Sequence, residues 1–431
     1  MKHKLPEAFL ARIKEQLKDE YDGFVKTYDE NPRRGIRINT LKISADDAVK
    51  RAPFNMEPVP WVKNGFFISG DDDPAGHPFY RAGLYYIQEP SAMTPADRLP
   101  IDKGDRVLDL CAAPGGKATA LAAKLEGTGM LLANDASASR CRALLHNLEL
   151  SGTSNIIVTN EIPQNLEKLF PQFFDKIMVD APCSGEGMFR KDAKAVADWS
   201  ENVVNLCSAR QKRILADVWP ALRRGGCLIY STCTFEDAEN DSILEWVAGE
   251  LGGRTMEHDC SSLPGVIQTR TGGLLVPGFV KGEGQFVAAL QKCTGTDGFR
   301  SRGKPASAVT ERRKGNLLIH IPESIAREVA VLETLHPVQA GVAKGELRGH
   351  DFVPSADWAL SLALPRGAYP VANLDLETAL KFLHRDCIFL NDAPKGFLLV
   401  CFAGHPLGFV KNLGSRCNNL HPQGRKIKMD V

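Results

Sequence analysis

Hydrophobic and polar positions change their period along the chain. Between residues 106 and 291, short apolar runs rich in Val, Ile and Leu alternate with longer amphipathic stretches. Short apolar runs predict buried strands, and stretches with a period of roughly 3.6 residues predict helices. This succession is typical of a mostly parallel, doubly wound α/β sheet. The predicted strands are residues 106–110, 130–133, 156–159, 176–179 and 227–231, and the predicted helices are residues 119–125, 137–151, 205–222 and 236–251.

The two ends of this region carry different patterns. Residues 6–18 and 21–28 predict helices, and residues 35–42 form an alternating strand that carries Arg37 and Lys42. Spacing alone leaves open whether this is a solvated edge strand or an RNA-facing one. Residues 274–280 and 285–290 predict a hairpin that closes the sheet.

Length and composition then divide the chain. Its 431 residues suggest roughly two to four domains. The segment 294–315 is rich in Gly, Ser, Lys and Arg, which favours a basic linker, and residues 316–431 have the short strands of an α+β region. We therefore divide the chain into four regions at 1–80, 81–293, 294–315 and 316–431, of which 294–315 is the basic linker.

Charge and cysteine usage narrow the class of protein. Lys and Arg number 53 against 52 Asp and Glu, so any attraction to nucleic acid must come from local patches. The 11 cysteines show no metal-ligand spacing, and no bound metal is expected. Neither a secretory signal nor an apolar run of ~18 residues is visible, so we expect no membrane association and a cytoplasmic location.

The first predicted strand of the sheet runs into a glycine loop that precedes a helix, at residues 111–117. Small residues let the backbone approach a ligand closely, and a helix N-terminus offers free N–H groups to an anion. A Walker loop would need glycine at Cys111, and the dinucleotide fingerprint is absent. S-adenosylmethionine remains, with its carboxylate near Lys117 and its ribose near Asp135 at the end of the next strand. Asp135 could instead be a helix cap.

Two cysteines follow later strands of the same sheet. Cys183 lies in Asp180-Ala181-Pro182-Cys183, and Cys233 follows Thr232. Methylation of cytosine carbon-5 needs a thiolate to add at carbon-6, and a second thiol can help the product leave. Asp180 is placed to disperse charge at the ring through N3. The base must leave any stack to reach such a cleft, which favours single-stranded or locally opened RNA.

The residues after Cys183 form the segment Glu186 to Lys191. Phe189 could stack on a flipped base and Arg190 could bind phosphate, although a plain loop would have the same sequence.

These motifs resemble the Sun/nucleolar-protein family of RNA cytosine-C5 methyltransferases. The matching runs are residues 108–117, residues 180–187 and residues 230–234. The resemblance implies Cys233 as nucleophile and Cys183 as release residue, whereas spacing alone could not rank them, and the reversed assignment is the chief rival. The catalytic residues expected from it are thus Cys233, Cys183 and Asp180.

The resemblance also implies S-adenosylmethionine as cofactor. The expected contacts are Cys111, Ala112, Ala113, Pro114, Gly115, Gly116, Lys117, Asp135, Arg140 and Asp180. Two positions depart from the family pattern: Ile162 stands where an aspartate often holds the adenine, and Gly278 follows Pro277 where histidine is usual.

Residues 5–9, 37–42, 86–91 and 404–408 are similar to the bacterial RsmF-type branch of the family. This resemblance implies an N-terminal RNA-binding region at 1–80, a catalytic domain at 81–293 and a C-terminal RNA-binding region at 316–431 with a PUA-like module. The expected architecture is thus a Rossmann-like methyltransferase sheet, an α+β N-terminal region and a PUA-like α+β module. The expected substrate is 16S ribosomal RNA or the small-subunit particle, bound by a monomer, with no DNA or membrane partner. Transfer RNA as substrate, and a non-catalytic RNA-binding assembly factor, are the alternatives.

Overall fold

The computed structural model describes residues 4–256, 263–295, 310–332, 337–390 and 392–428. Within these ranges the chain forms four sheets flanked by helices. The strands are β1 (Arg34–Ile38), β2 (Glu57–Pro58), β3 (Gly65–Ile68), β4 (Tyr85–Ile87), β5 (Arg106–Asp109), β6 (Met130–Asn134), β7 (Ile156–Thr159), β8 (Phe174–Asp180), β9 (Leu222–Thr232), β10 (Gly253–Thr255), β11 (Ile267–Gln268), β12 (Gly273–Leu275), β13 (Gln285–Lys292), β14 (Glu311–Lys314), β15 (Leu317–His320), β16 (Gln339–Ala340), β17 (Val342–Arg348), β18 (Asp351–Pro354), β19 (Val371–Leu374), β20 (Gly396–Phe402), β21 (His405–Asn412) and β22 (Cys417–Asn419). The helices are α1 (Glu7–Leu17), α2 (Tyr21–Lys26), α3 (Ala45–Arg51), α4 (Pro78–Arg81), α5 (Thr94–Arg98), α6 (Gly116–Leu125), α7 (Ala138–Ser151), α8 (Pro163–Leu169), α9 (Ala193–Asp198), α10 (Glu201–Val218), α11 (Asp241–Glu250), α12 (Ala326–Leu332), α13 (Ala356–Leu360) and α14 (Leu376–Leu383).

The central sheet has the order β11-β12-β13-β9-β8-β5-β6-β7-β16, and β10 also pairs with β13. The five predicted strands are confirmed as β5 to β9, and they pair in parallel. Their side chains are almost all buried because helices cover both faces, as expected for a parallel sheet. Parallel pairing brings the carboxyl ends of β5, β6, β8 and β9 to one edge, where ligands bind in such folds.

Several element boundaries differ from the sequence prediction. Strand β1 ends at Ile38 instead of residue 42, and α11 begins at Asp241 instead of residue 236. The first strand of the closing hairpin ends at Leu275 instead of residue 280, because Pro277 has no N–H to continue the ladder. Helix α10 begins at Glu201, where Ser200 caps it by accepting from the Val203 N–H. It ends at Val218, because Pro220 lies in a short 3-10 turn before β9.

The N-terminal sheet has the order β2-β3-β1-β4, so β1 is a central strand. Both sequence interpretations of this strand are therefore wrong, since Arg37 is only 4% exposed and faces neither solvent nor RNA. Its guanidinium donates to the Gly116 carbonyl at 2.7 Å and to Thr119 Oγ1 at 2.8 Å, both on α6. Burial lowers the pKa of Arg37 to about 10.

Lys42 completes this contact between the N-terminal sheet and the central domain. Its Nζ donates to the carbonyls of Ala82 at 2.7 Å and of Leu150, near the end of α7, at 2.8 Å. Burial lowers the pKa of the ammonium to about 7. We call Arg37, Asn39 and Lys42 the domain joint, because Asn39 likewise donates to Gly83 and Ser151 carbonyls.

The C-terminal part packs against both preceding regions. One apolar core joins Ile36 and Phe79 of the N-terminal region with Phe382 and Val400 of the tail. Strand β16 extends the central sheet by pairing with β7. Most of the predicted basic linker, residues 296–309, lies outside the described residues, whereas its end forms β14. The first region was predicted to end at residue 80. Strand β4 lies beyond that boundary, yet it pairs with β1 of the N-terminal sheet.

Candidate active site

The two cysteines singled out by the sequence lie side by side. Strands β8 and β9 are parallel neighbours, with Asp180 opposite Ser231, so the segments after both strands leave the sheet together. Cys183 Sγ and Cys233 Sγ are 3.1 Å apart, both are free thiols and both are partly exposed. The Cys233 N–H also donates to Cys183 Sγ at 3.3 Å. The structure therefore brings the two predicted thiols into direct contact.

The protonation of Cys183 depends on this contact. The hydrogen bond with Cys233, burial, and the charges of Cys233 and Glu239 hold the pKa of Cys183 well above its ordinary value. At neutral pH Cys183 therefore keeps its proton.

A cleft of ≈ 250 Å³ lies beside the thiols at the same edge of the sheet. Gly115 precedes α6 with φ 113°, a conformation that favours glycine, and so starts the helix directly at the loop. Lys117 Nζ donates to Asp180 Oδ2 at 2.8 Å, and Ser231 Oγ donates to Asp180 Oδ1 at 2.6 Å. The predicted residues that line the cleft are Cys111, Ala112, Ala113, Pro114, Gly116, Lys117 and Asp180.

The remaining predicted cofactor residues support the loop. Asp135 is 3% exposed, and its carboxylate accepts from the N–H groups of Ala113 at 3.3 Å and Ser137 at 2.9 Å. Arg140 donates to the Ala113 carbonyl at 2.5 Å and lies 3.4 Å from the Asp135 carboxylate. Asp135 thus fixes both the loop and the start of α7.

Asp109 is a site residue that the sequence reasoning did not assign. It is fully buried at the end of β5, and neither carboxylate oxygen has a hydrogen-bond partner. Burial and the charge of Asp180 raise its pKa to about 8. An acceptor of this kind behind the loop fits a ligand with a positively charged group, such as the amino group of S-adenosylmethionine. The signal available in sequence was its place at the end of the strand before the loop.

The predicted nucleotide clamp is wrong. Phe189 is 1% exposed and packs edge-on against Phe9 of α1, with ring centroids 5.0 Å apart. Arg190 is buried 3.7 Å from Glu283. Neither side chain is available to a base or a phosphate, because α1 covers Phe189 and Arg190 is buried against Glu283. Ile162, where the family often has an aspartate, is 53% exposed.

Family models match three parts of the chain. A family model described as 16S rRNA methyltransferase RsmB/F matches residues 96–291. Models of the N-terminal domain of 16S rRNA methyltransferase RsmF and of the methyltransferase RsmF PUA domain match residues 5–90 and 369–427.

Curated relatives and solved structures are similar to the chain as well. Ribosomal RNA small subunit methyltransferase F of Klebsiella pneumoniae is 32% identical and covers 97% of this chain and 96% of its own length. The enzyme of the same name from Shewanella putrefaciens is 33% identical and covers 93% and 92%. A methyltransferase homologue from Pyrococcus horikoshii, 29% identical, superimposes with a TM-score of 0.60 over 67% of this chain and 95% of its own. NSun6 from the same organism, solved with SFG, is 21% identical with a TM-score of 0.58 over 67% and 99%, and shows the shared fold.

Proposed function

This chain belongs to the 16S rRNA methyltransferase RsmB/F family, and we propose that it methylates carbon-5 of a cytosine in 16S ribosomal RNA through a covalent adduct at Cys233. It is an S-adenosylmethionine-dependent RNA methyltransferase with a C-terminal PUA domain. One observation carries the cytosine-C5 chemistry, namely the 3.1 Å separation of the Cys183 and Cys233 sulphurs beside the cofactor cleft.

The cleft suits the cofactor and the target together. S-adenosylmethionine supplies the electrophilic methyl group when it is bound. Lys117, Asp109 and the N–H groups of the glycine loop would hold its charged amino-acid end, and Asp135 keeps that loop in place. Asp180 is held by Lys117 and Ser231 at the carboxyl end of β8, three residues before Cys183 along the chain.

The two cysteine sulphurs carry out successive steps of the proposed reaction. The Cys233 thiolate adds to carbon-6, and electrons of the carbon-5 to carbon-6 double bond move towards N3, where Asp180 assists proton uptake. Carbon-5 becomes nucleophilic and accepts the methyl group. A base must then remove the carbon-5 proton, so that its electrons re-form the double bond and expel Cys233 as thiolate. The family resemblance implies this second role for Cys183 and the attack for Cys233, and the 3.1 Å separation of the two sulphurs supports a shared target base.

Substitution of each cysteine tests the assignment. Cys233→Ala is expected to abolish methyl transfer and retain cofactor binding, because only the attacking sulphur is lost. Cys183→Ala is expected to accumulate an RNA–protein adduct that survives denaturing gels. Methyl transfer by Cys233→Ala together with an adduct lost in Cys183→Ala would reverse the roles.

The substrate and its setting are tested separately. We propose that the monomeric enzyme acts in the cytoplasm on 16S rRNA within the small-subunit particle. The names of the curated relatives support small-subunit ribosomal RNA as the target, and the PUA domain supports RNA binding. Bisulfite sequencing after incubation with small subunits, naked 16S rRNA or transfer RNA would compare the three. Modification of transfer RNA alone would overturn the proposal.

A further inference from the structure

The two segments that carry the cysteines are joined by reciprocal hydrogen bonds, in which a carboxylate of each accepts from a backbone N–H of the other. We call residues 181–189 after β8 the first cysteine loop and residues 233–239 after β9 the second. Glu186 of the first loop accepts from the Phe235 N–H of the second at 3.1 Å. Glu239 of the second loop accepts from the Ser184 N–H of the first at 3.0 Å. Each loop thus fixes the other, and the spacing of the sulphurs depends on both bonds.

The two carboxylates differ in how their charge is balanced. Glu186 forms an ion pair with Arg12 of α1 at 2.6 Å. Glu239 is fully buried and receives bonds from neutral donors, the Ser184 N–H and Gln211 Nε2 at 2.8 Å. Its Oε1 has no hydrogen-bond partner, and no ion pair to it exists within the described ranges. The negative charge of Glu239 therefore acts on its surroundings without a paired cation.

Cys183 lies directly before Ser184, in the field of this charge. Contact with Cys233 and burial raise the pKa of Cys183 most, and Glu239 raises it further. Burial also raises the pKa of Glu239 itself, against the hydrogen bonds that it accepts. The other titratable or charged groups around this pair are Arg12 on α1, Cys207 and Arg210 on α10, Tyr230 on β9, Asp180, and the loop residues Glu186, Glu236 and Asp237.

We propose that Glu239 is a positioning residue that keeps the Cys183 thiol protonated until Cys233 has bonded to the cytosine, and thereby sets the pH of product release. The proposal rests on the function proposed above. When Cys233 becomes a thioether its negative charge disappears, so Cys183 loses its strongest reason to stay protonated. It then releases its proton to water and, as a thiolate, removes the carbon-5 proton. Those C–H electrons re-form the ring double bond while the C6–S bond breaks and Cys233 leaves as thiolate.

The pH dependence of adduct decay in the full-length enzyme tests this role. Single-turnover reactions with 16S rRNA, quenched in denaturant, would give the adduct and the 5-methylcytosine at each pH. We expect the decay rate of the wild-type adduct to rise with pH as Cys183 ionises. In Glu239→Gln, which keeps an acceptor for the Ser184 N–H, the midpoint should move to lower pH by on the order of one unit.

Three variants make the test specific. Glu186→Gln removes the carboxylate whose charge Arg12 balances, so its midpoint should stay near the wild-type value. Glu239→Ala removes the acceptor as well, so adduct formation itself should slow. Gln211→Lys keeps Glu239 and places an ammonium beside its carboxylate, so it should shift the midpoint to lower pH, as Glu239→Gln does. It therefore tests the role of Glu239 even if Glu239→Gln fails to fold.

The outcomes separate this inference from the proposed function. Absence of both adduct and 5-methylcytosine in the wild type would overturn the proposed function. Adduct formation with an unshifted midpoint in the folded Glu239→Gln or Gln211→Lys protein would overturn the role of Glu239 alone. An equal shift in Glu186→Gln would also overturn it, because the effect would then not be specific to the unbalanced carboxylate.

Discussion

The cofactor cleft and the domain joint both bury a lysine, with opposite results. Lys117 in the cleft faces Asp180 and Asp109, and although burial opposes its charge, these carboxylates hold its pKa above the ordinary value. Lys42 in the joint faces the backbone carbonyls of Ala82 and Leu150, and burial lowers its pKa to about 7. The partner, rather than burial itself, decides whether a buried lysine keeps its charge. Lys117 thus keeps its charge over a wide pH range, whereas Lys42 titrates near neutral pH.

Lys117→Met should produce the largest effect, because it leaves Asp180 without its cation. Loss of one fixed donor in an active site typically costs about 10²–10³-fold in rate. We expect a loss of this size in methyl transfer and weaker cofactor binding, measured by single-turnover assay and calorimetry. We expect Lys117→Met to lose little free energy of unfolding. If it were destabilised as strongly as a variant of the domain joint, the two regions would not differ in the way described.

Arg37→Met breaks the joint from the N-terminal side. It removes charged hydrogen bonds to the Gly116 carbonyl and Thr119, which are buried. We expect the free energy of unfolding to fall by about 2–3 kcal/mol, measured by urea denaturation. Unchanged stability would show that the joint does not hold the regions together.

Lys42→Met should cost about 1–2 kcal/mol at neutral pH, and the cost should change with pH. The folded-state pKa of about 7 lies below the unfolded value, so between the two the unfolded chain binds more protons. Unfolding free energy contributed by Lys42 therefore rises from pH 7 towards 10 and is lost as pH falls through 7. Urea denaturation at several pH values should show that the wild type gains unfolding free energy relative to Lys42→Met as the pH rises from 7. Parallel plots of unfolding free energy against pH would contradict the lowered pKa of Lys42.

Gly116→Ala should give the smallest effect, confined to the cleft. An added Cβ would lie 3.1 Å from Tyr86 and 3.2 Å from Gln88, both side chains at the cleft wall. These side chains can move by a few tenths of an ångström, so we expect only a few-fold weaker cofactor binding by calorimetry. A loss of rate as large as that of Lys117→Met would mean that shape, rather than charge, governs the cleft.

Sequence predicted the cleft better than the joint, for a physical reason. Apolar runs identified the parallel strands, and a parallel sheet brings the ends of β8 and β9 together, so Cys183 and Cys233 were predicted to meet. The alternation of β1 showed that Arg37 belongs to a strand but could not show what covers it. Phe189 was misassigned for the same reason, since the covering helix α1 is distant in sequence.

The reciprocal contacts of Glu186 and Glu239 were beyond sequence reasoning as well. Glu186 was visible beside Cys183, yet nothing in the spacing indicates that its carboxylate reaches the Phe235 N–H. Glu239 follows Cys233 by six residues, in a segment that the sequence predicts as the start of a helix. Such pairings depend on side-chain direction at the ends of two strands, which a one-dimensional pattern does not contain.

Synthesis of the chain leaves one edge of the central sheet open for a long interval. Strand β7 is made early, but its outer partner β16 follows only after β8, β9, β13 and the basic segment have left the ribosome. An unpaired strand edge is a template for association with other chains. We therefore expect the nascent polypeptide to be more prone to aggregate before β16 emerges than after β16 has paired with β7.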